Sequence, residues 1–201
     1  MRSQILILHF HEEVTLPRLF VAIDLPEEIK ASLSQLSCAV PGARWVSPSE
    51  IHLTLRFIGD VEPQTVAKIK KALSGIQFTS FPLRVAGVGH FPPRGLPRVL
   101  WLGLEPRPEL MELQQRIESA LQQAGVPPEE RPFSPHITLA RLKETPPAAV
   151  ASFESLHRAL DYPPFPAREY VLYSSVLTPK GAIHRKEELY RLSSEAASPS
   201  R

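Results

Sequence analysis

His52-Leu53-Thr54-Leu55 returns 84 residues later as His136-Ile137-Thr138-Leu139. The chain has seven histidines, and two of them head the same H-x-T-L tetrad. Each tetrad lies in an apolar, β-favouring run, Ile51 to Ile58 and Ile137 to Leu142, so both read as strands. Side chains alternate along a strand. His52 and Thr54 therefore share one face and Leu53 and Leu55 the other, and His136 and Thr138 are set against Ile137 and Leu139 in the same way. A polar pair backed by an apolar pair suits a strand that lines a cleft above a core.

The flanking sequence repeats with the tetrads. Leu19 to Leu25 predicts a strand, and Pro26-Glu27-Glu28 starts a helix expected to run to about Val40. After the first tetrad strand come a helix over Glu62 to Ser74 and strands over Phe81 to Val88 and Val99 to Leu104, separated by a loop from Gly89 to Gly95. The second half has a helix over Pro108 to Ala124 with Gly125 as its stop, the second tetrad strand, and a helix over Pro146 to Leu160. Strands over Tyr170 to Leu177 and Glu188 to Leu192 follow, joined through Pro179-Lys180-Gly181. Two copies of one helix-and-strand unit, about 27–104 and 107–193, would build two lobes related by an approximate two-fold axis, with the tetrads facing each other. The expected organisation is an N-terminal extension over 1–17, one bilobal domain over 18–193 and a small polar tail over 194–201.

Composition narrows the function. A net charge of +2 gives no global polyelectrolyte attraction to nucleic acid, so any basic site must be local. The single cysteine, Cys38, leaves no intrachain disulfide and suits a cytoplasmic setting. The apolar run Ile5 to Leu8 is too short to span a membrane, so no membrane partner is expected. His9-Phe10-His11-Glu12 could be imagined as a metal cluster, but it lies outside the repeat and reads as a terminal tail.

Two imidazoles and two hydroxyls around one centre suit phosphoryl chemistry. One neutral His can accept a proton while one charged His donates, which is what cleavage of a phosphodiester requires across the in-line axis. Each Thr can donate to a non-bridging oxygen. Arg131, Arg141, Arg44 and Arg56 all lie near a tetrad in sequence and could bind phosphate, and strand alternation leaves open which of them reaches inward. Two other readings compete. A catalytic zinc wants about three protein ligands, and neither tetrad carries a carboxylate or cysteine at ligand spacing. A non-catalytic RNA-end-binding module would draw on Trp45, Phe57, Phe91 and Phe133 for base stacking, yet these are equally good core residues.

With Arg18-Leu19-Phe20-Val21-Ala22-Ile23 at the start, Arg44-Trp45-Val46 before the first tetrad and Phe133-Ser134-Pro135-His136-Ile137-Thr138-Leu139-Ala140-Arg141 around the second, the sequence resembles the two-histidine phosphoesterases. Within these it is most similar to the RNA 2′,3′-cyclic phosphodiesterases, also described as 2′-5′ RNA ligases. The resemblance covers Arg18 to about Leu192. It implies a bilobal α+β fold, antiparallel sheets lining a central cleft and helices outside. It also implies opening of a terminal 2′,3′-cyclic phosphate on RNA to a 2′-phosphate, without metal or nucleotide cofactor, and ATP-independent ligation as the reverse reaction. By the same resemblance His52 is the proton donor to the leaving 3′ oxygen, His136 the base that activates water, and Thr54 and Thr138 the phosphate holders. Arg131, Arg141, Arg44 and Phe57 are the candidate substrate contacts, a monomer is expected, and a small cyclic nucleotide is the alternative substrate. The segment Gly181-Ala182-Ile183-His184 matches loosely, and His184 receives no role.

Overall fold

Proline opens the helices of this chain. The computed structural model describes residues 16–37, 40–178 and 181–194. Four helices are found among them: α1 (Glu27–Ser34), α2 (Pro63–Ser74), α3 (Pro108–Gln123) and α4 (Pro147–Leu156). Three begin on a proline and α1 directly after one, where the fixed φ suits the first turn and the missing N–H costs nothing. α3 stops before Gly125, whose φ of +92° is the left-handed conformation a helix end calls for.

Two helices are shorter than their periodicity predicts. α1 ends at Ser34 rather than near Val40: the Ser34 hydroxyl bonds back to the Ala31 carbonyl at 2.6 Å, and Gln35 and Leu36 close three-residue turns. α4 ends at Leu156 rather than Leu160, because the chain leaves helical geometry at His157, whose ring lies 4.4 Å from that of Phe153. The apolar residues beyond both ends continue the spacing but sit in loops.

The strands are β1 (Arg18–Asp24), β2 (Ala43–Trp45), β3 (His52–Asp60), β4 (Phe81–Leu83), β5 (Val85–Phe91), β6 (Val99–Leu104), β7 (Ile137–Leu142), β8 (Phe165–Ala167), β9 (Glu169–Thr178) and β10 (Gly181–Arg191). The run expected as one strand over Phe81 to Val88 is broken at Arg84, where the guanidinium turns out to Asp161. β4 pairs with β8, while β5 continues to Phe91 and takes in the first three residues of the expected loop. The extension and tail lie outside the described residues except for 16, 17 and 194, as do Cys38 and the Pro179-Lys180 turn.

The main sheet runs β10-β9-β1-β3-β7-β6-β5, with β2 also paired to β7, and every pairing in it is antiparallel. The element order repeats: helix, tetrad strand, helix, short strand, hairpin. The hairpins, however, are exchanged. β5-β6 from the first repeat adds to the tetrad strand of the second, and β9-β10 from the second joins β1 and β3 of the first. The short strands Phe81-Pro82-Leu83 and Phe165-Pro166-Ala167, themselves 84 residues apart, pair with each other. Each lobe thus holds elements from both sequence halves.

On β1, Leu19, Val21 and Ile23 point into the core, and on β3 Leu53 and Leu55 do the same. That core is continuous through both lobes and includes Ile69 and Leu73 of α2 and Leu113, Ile117 and Leu121 of α3. The opposite face of the first lobe carries a smaller buried cluster, Phe20, Ala22, Val171 and Tyr173. The polar half of each tetrad faces this way.

Candidate active site

The two tetrad strands touch at a single register pair, Leu53 with Ile137. In an antiparallel pair centred there, His52 lies across from Thr138 and Thr54 across from His136. Beyond it the strands part, and β7 goes on to pair with β2 through Ala140 to Leu142. The parting opens a cleft of about 560 Å³ lined by both tetrads' His and Thr and by Arg44, Arg141 and Phe57 among others. Leu53, Leu55, Ile137 and Leu139, all at most 2% exposed, anchor the polar residues from behind.

The His136 Nδ1 lies 2.8 Å from the carbonyl of Ser134, two residues back. A carbonyl can only accept, so Nδ1 carries the proton and Nε2 is left for the cleft. His52 is also engaged by the backbone of Glu50, two residues back. Glu50 is fixed in turn, its carboxylate accepting from the Ser47 hydroxyl at 2.7 Å and the Ser47 amide at 3.2 Å. The two imidazoles are therefore presented alike by backbone geometry.

Their surroundings differ. His52 stacks on Phe20 with ring centroids 4.9 Å apart, Phe20 stacks on Tyr173 at 5.0 Å, and His184 meets His52 edge-on at 5.5 Å. Burial in this aromatic nest, with His184 adding to it, pushes the His52 pKa down to about 4, although Asp24 and the Glu50 backbone pull the other way. Asp24 is cross-strand from His52 and accepts from Lys30 at 2.8 Å, Lys186 at 2.6 Å and the Tyr173 hydroxyl at 3.1 Å. Burial opposes its ionisation, but those donors outweigh it and hold the carboxyl below its usual range. His136 meets instead the edge of Phe91 at 5.0 Å.

A wider open groove of about 1020 Å³ lies between α2 and α3, lined by Lys71, Glu112 and Arg116 among others. It holds no imidazole, so the tetrad cleft is the better seat for proton transfer near neutral pH.

Comparison with known proteins agrees with the geometry. The profile of the 2′-5′ RNA ligase superfamily matches residues 25–177. The chain belongs to the 2′-5′ RNA ligase superfamily. Among its relatives is an RNA 2′,3′-cyclic phosphodiesterase of Thermotoga maritima, 38% identical over 84% of this chain and 91% of that one. Another, of Archaeoglobus fulgidus, is 35% identical over 84% of this chain and 96% of its own length. The crystal structure of E. coli LigT complexed with 3′-AMP superimposes with a TM-score of 0.70 at 26% identity, over 88% of this chain and 98% of that chain. The superfamily fold is thus the α+β fold described above.

Within this superfamily member the arginines separate. Arg44 and Arg141 are cross-strand neighbours on β2 and β7, both line the cleft, and neither has a carboxylate at ion-pair distance among the described residues. Arg131 does not line the cleft: its amide bonds the Glu129 carboxylate in an exposed loop, and a tract ending Pro132 to Pro135 has no strand alternation to aim it. Arg56 is turned away as well. Val21 pairs with Arg56 but Ala22 with Thr54, so a bulge at Leu55 shifts the alternation. Arg56, 7% exposed, then meets Glu118 on α3 at 2.5 Å and the Pro127 carbonyl at 2.6 Å, and Phe57 comes round to the cleft, 58% exposed. Arg18, Glu50, Ser175 and His184 also line the cleft. For the last two, the signal would have been that β9-β10 corresponds to β5-β6, but pairing to the other repeat's strand is invisible locally.

Proposed function

We propose that this protein hydrolyses the terminal 2′,3′-cyclic phosphate of RNA to a 2′-phosphate by acid and base catalysis from its two tetrad histidines. The observation carrying this reading is that two H-x-T pairs from distant parts of the chain meet at Leu53 and Ile137 and turn their polar halves into one cleft. The names of the Thermotoga maritima and Archaeoglobus fulgidus relatives support the substrate class. Water attacks phosphorus opposite O3′ and passes its proton to Nε2 of His136. The new P–O bond forms as the P–O3′ bond breaks, and His52 delivers a proton to O3′. Thr54 and Thr138 donate to the non-bridging oxygens, and Arg44 and Arg141 offset the phosphate charge.

Burial holds His52 neutral near pH 7 even with the Asp24 carboxylate nearby, so the acid takes up its proton when substrate binds. The negative diester favours the imidazolium form and so loads the acid. Ligation would use the same steps with an RNA 5′-hydroxyl as nucleophile in place of water: the P–O5′ bond forms as the P–O3′ bond of the cyclic ester breaks, and the energy of that ester replaces ATP. A monomer suffices, since both tetrads come from one chain.

The test is to incubate the protein with RNA ending in a 2′,3′-cyclic phosphate and identify the product. A terminal 2′-phosphate is expected. A 3′-phosphate would require the roles of His52 and His136 to be exchanged. His52→Ala and His136→Ala should each lose on the order of a hundredfold or more in turnover while still binding the RNA, and the losses should not add. Full turnover in both variants would remove the catalytic reading.

A further inference from the structure

The cleft contains a third imidazole. His184 on β10 lines it, cross-strand from Ser175, which lines it too. The ring of His184 stands edge-on to both Phe20 at 4.9 Å and His52 at 5.5 Å. Unlike His136, it has no backbone carbonyl on Nδ1. That nitrogen is buried and has no hydrogen-bond partner.

This difference decides the tautomer. A buried N–H without an acceptor costs the desolvation of a donor that water would have satisfied, and a second proton would add an uncompensated charge. Orphaned buried N–H groups are rarer in folded proteins than under-satisfied acceptors, so the bare lone pair is the cheaper state for a closed-off nitrogen. Neutral His184 therefore carries its proton on Nε2, the nitrogen at the other side of a ring that is only partly buried. Burial also pushes the His184 pKa down against the pull of Glu50, which keeps the neutral form at physiological pH. The other titratable groups in contact with it are the rings of His52 and of Tyr173 on β9.

The geometry points to His184 as a neutral hydrogen-bond donor to the substrate, binding an oxygen of the terminal nucleotide on the His52 side of the cleft without taking part in proton transfer. The exchanged hairpins give the reason this side alone has such a donor. Phe91 and Val99 form the cross-strand pair of β5-β6 that corresponds to Ser175 and His184 of β9-β10. Around His136 the corresponding positions offer hydrocarbon, and around His52 a hydroxyl and an imidazole. The nearly equivalent catalytic halves of the cleft thereby differ, with an imidazole beside His52 where Phe91 stands beside His136, which suits a substrate with ribose on one side of phosphorus and water on the other.

This rests on the proposed hydrolysis, and the experiment separates the two. Wild-type turnover of a nucleoside 2′,3′-cyclic phosphate tests the reaction; binding of the matching nucleoside 2′-monophosphate by calorimetry tests the donor without turnover. Gln places an N–H near the position of Nε2, whereas Asn mimics Nδ1 and Phe keeps only the ring. His184→Phe and His184→Asn should raise KM and weaken nucleotide binding roughly threefold to tenfold, the worth of one neutral hydrogen bond. Turnover at saturation should stay close to wild type, and His184→Gln should restore most of the affinity. His184 is one of the groups that lower the His52 pKa, so the limb of the kcat profile that His52 governs should shift upward to the same extent in all three variants. Equal affinity in the Phe and Gln variants would overturn the donor role, and a large loss of kcat in His184→Gln with nucleotide affinity kept would place His184 in proton transfer instead.

Discussion

Burial and acidity work against each other at His52. In the unfolded chain its imidazole titrates near 6.5, and in the folded protein burial lowers this to about 4. Between those values the unfolded state holds more protons, so the stability that neutral His52 contributes is complete above about pH 6.5 and drains away as pH falls towards 4. The melting temperature should fall over that range, and less so when a phosphodiester is bound. Binding should also take up a proton. In His136→Ala protein, which turns the ligand over far more slowly, affinity for a nucleoside 2′,3′-cyclic phosphate should rise as pH is lowered from 8 to 6. Calorimetry in buffers of different ionisation enthalpy would detect the uptake. A pH-independent affinity with no proton taken up would show that His52 stays neutral in the complex and cannot be the acid. Arg141 and Arg56 make a contrasting pair at this scale. Arg141→Met should raise KM by an order of magnitude or so with little change in stability. Arg56→Met should do the reverse, leaving KM alone but costing about 2 kcal/mol, because it strands Glu118. Burial pushes that carboxyl up, and donors from Gln122, Arg56 and the Glu129 amide together keep it below its usual range. Denaturant titration and steady-state kinetics on the two variants would check both.

Short β2 carries Arg44 and Trp45 to the cleft, and it is held by one edge, against β7. Its entry is Gly42, with φ +74°, whose carbonyl accepts from the Lys143 amide at 2.9 Å. A Cβ at this position would collide with the Lys143 carbonyl oxygen, which is backbone and cannot swing aside. Gly42→Ala should therefore cost on the order of 2 kcal/mol through strain and steric displacement. Because the displaced element bears Arg44, KM should rise as well. Thermal melts read the first effect and kinetics at 25 °C the second. A variant with native stability would mean that β2 is not pinned at Gly42. The bulge at Leu55 in β3 has the same kind of leverage: it sends Arg56 to α3 and Phe57 to the cleft.

At the level of the molecule, the exchange of hairpins makes the two repeats depend on each other. β5-β6 joins the main sheet through β7, and β9 joins it through β1. The continuous core joins α2 and α3 to both sets. Unfolding should be one cooperative transition, with coincident curves from tryptophan fluorescence and far-UV circular dichroism. Fragments 16–105 and 106–194, expressed separately, should each lack cooperative melting, since the first would leave β1 and the β5-β6 hairpin with an open edge and the second would leave β7 and the β9-β10 hairpin without partners. A fragment that melted cooperatively by itself would show that one repeat can complete its own sheet.

By itself the sequence determined the repeat, the type of the four α-helices and of every strand but the short β2 and β8, the backing of each tetrad by core leucines and isoleucine, and the two His-Thr pairs. All of these follow from local rules: alternation along a strand, helical spacing and the placement of proline. It could not determine where α1 and α4 stop, because Val40 and Leu160 keep helical spacing after side-chain bonds and turns have ended the helix. Nor could it choose among the arginines. Arg44 and Arg141 reach the cleft while Arg56 and Arg131 do not, a distinction made by a bulge and by cross-strand register. His184, remote from both tetrads in sequence, joins His52 only because β10 is paired to β9 and β9 to β1. Register between distant strands is set by the packing of the whole sheet, and no stretch of the chain carries it alone.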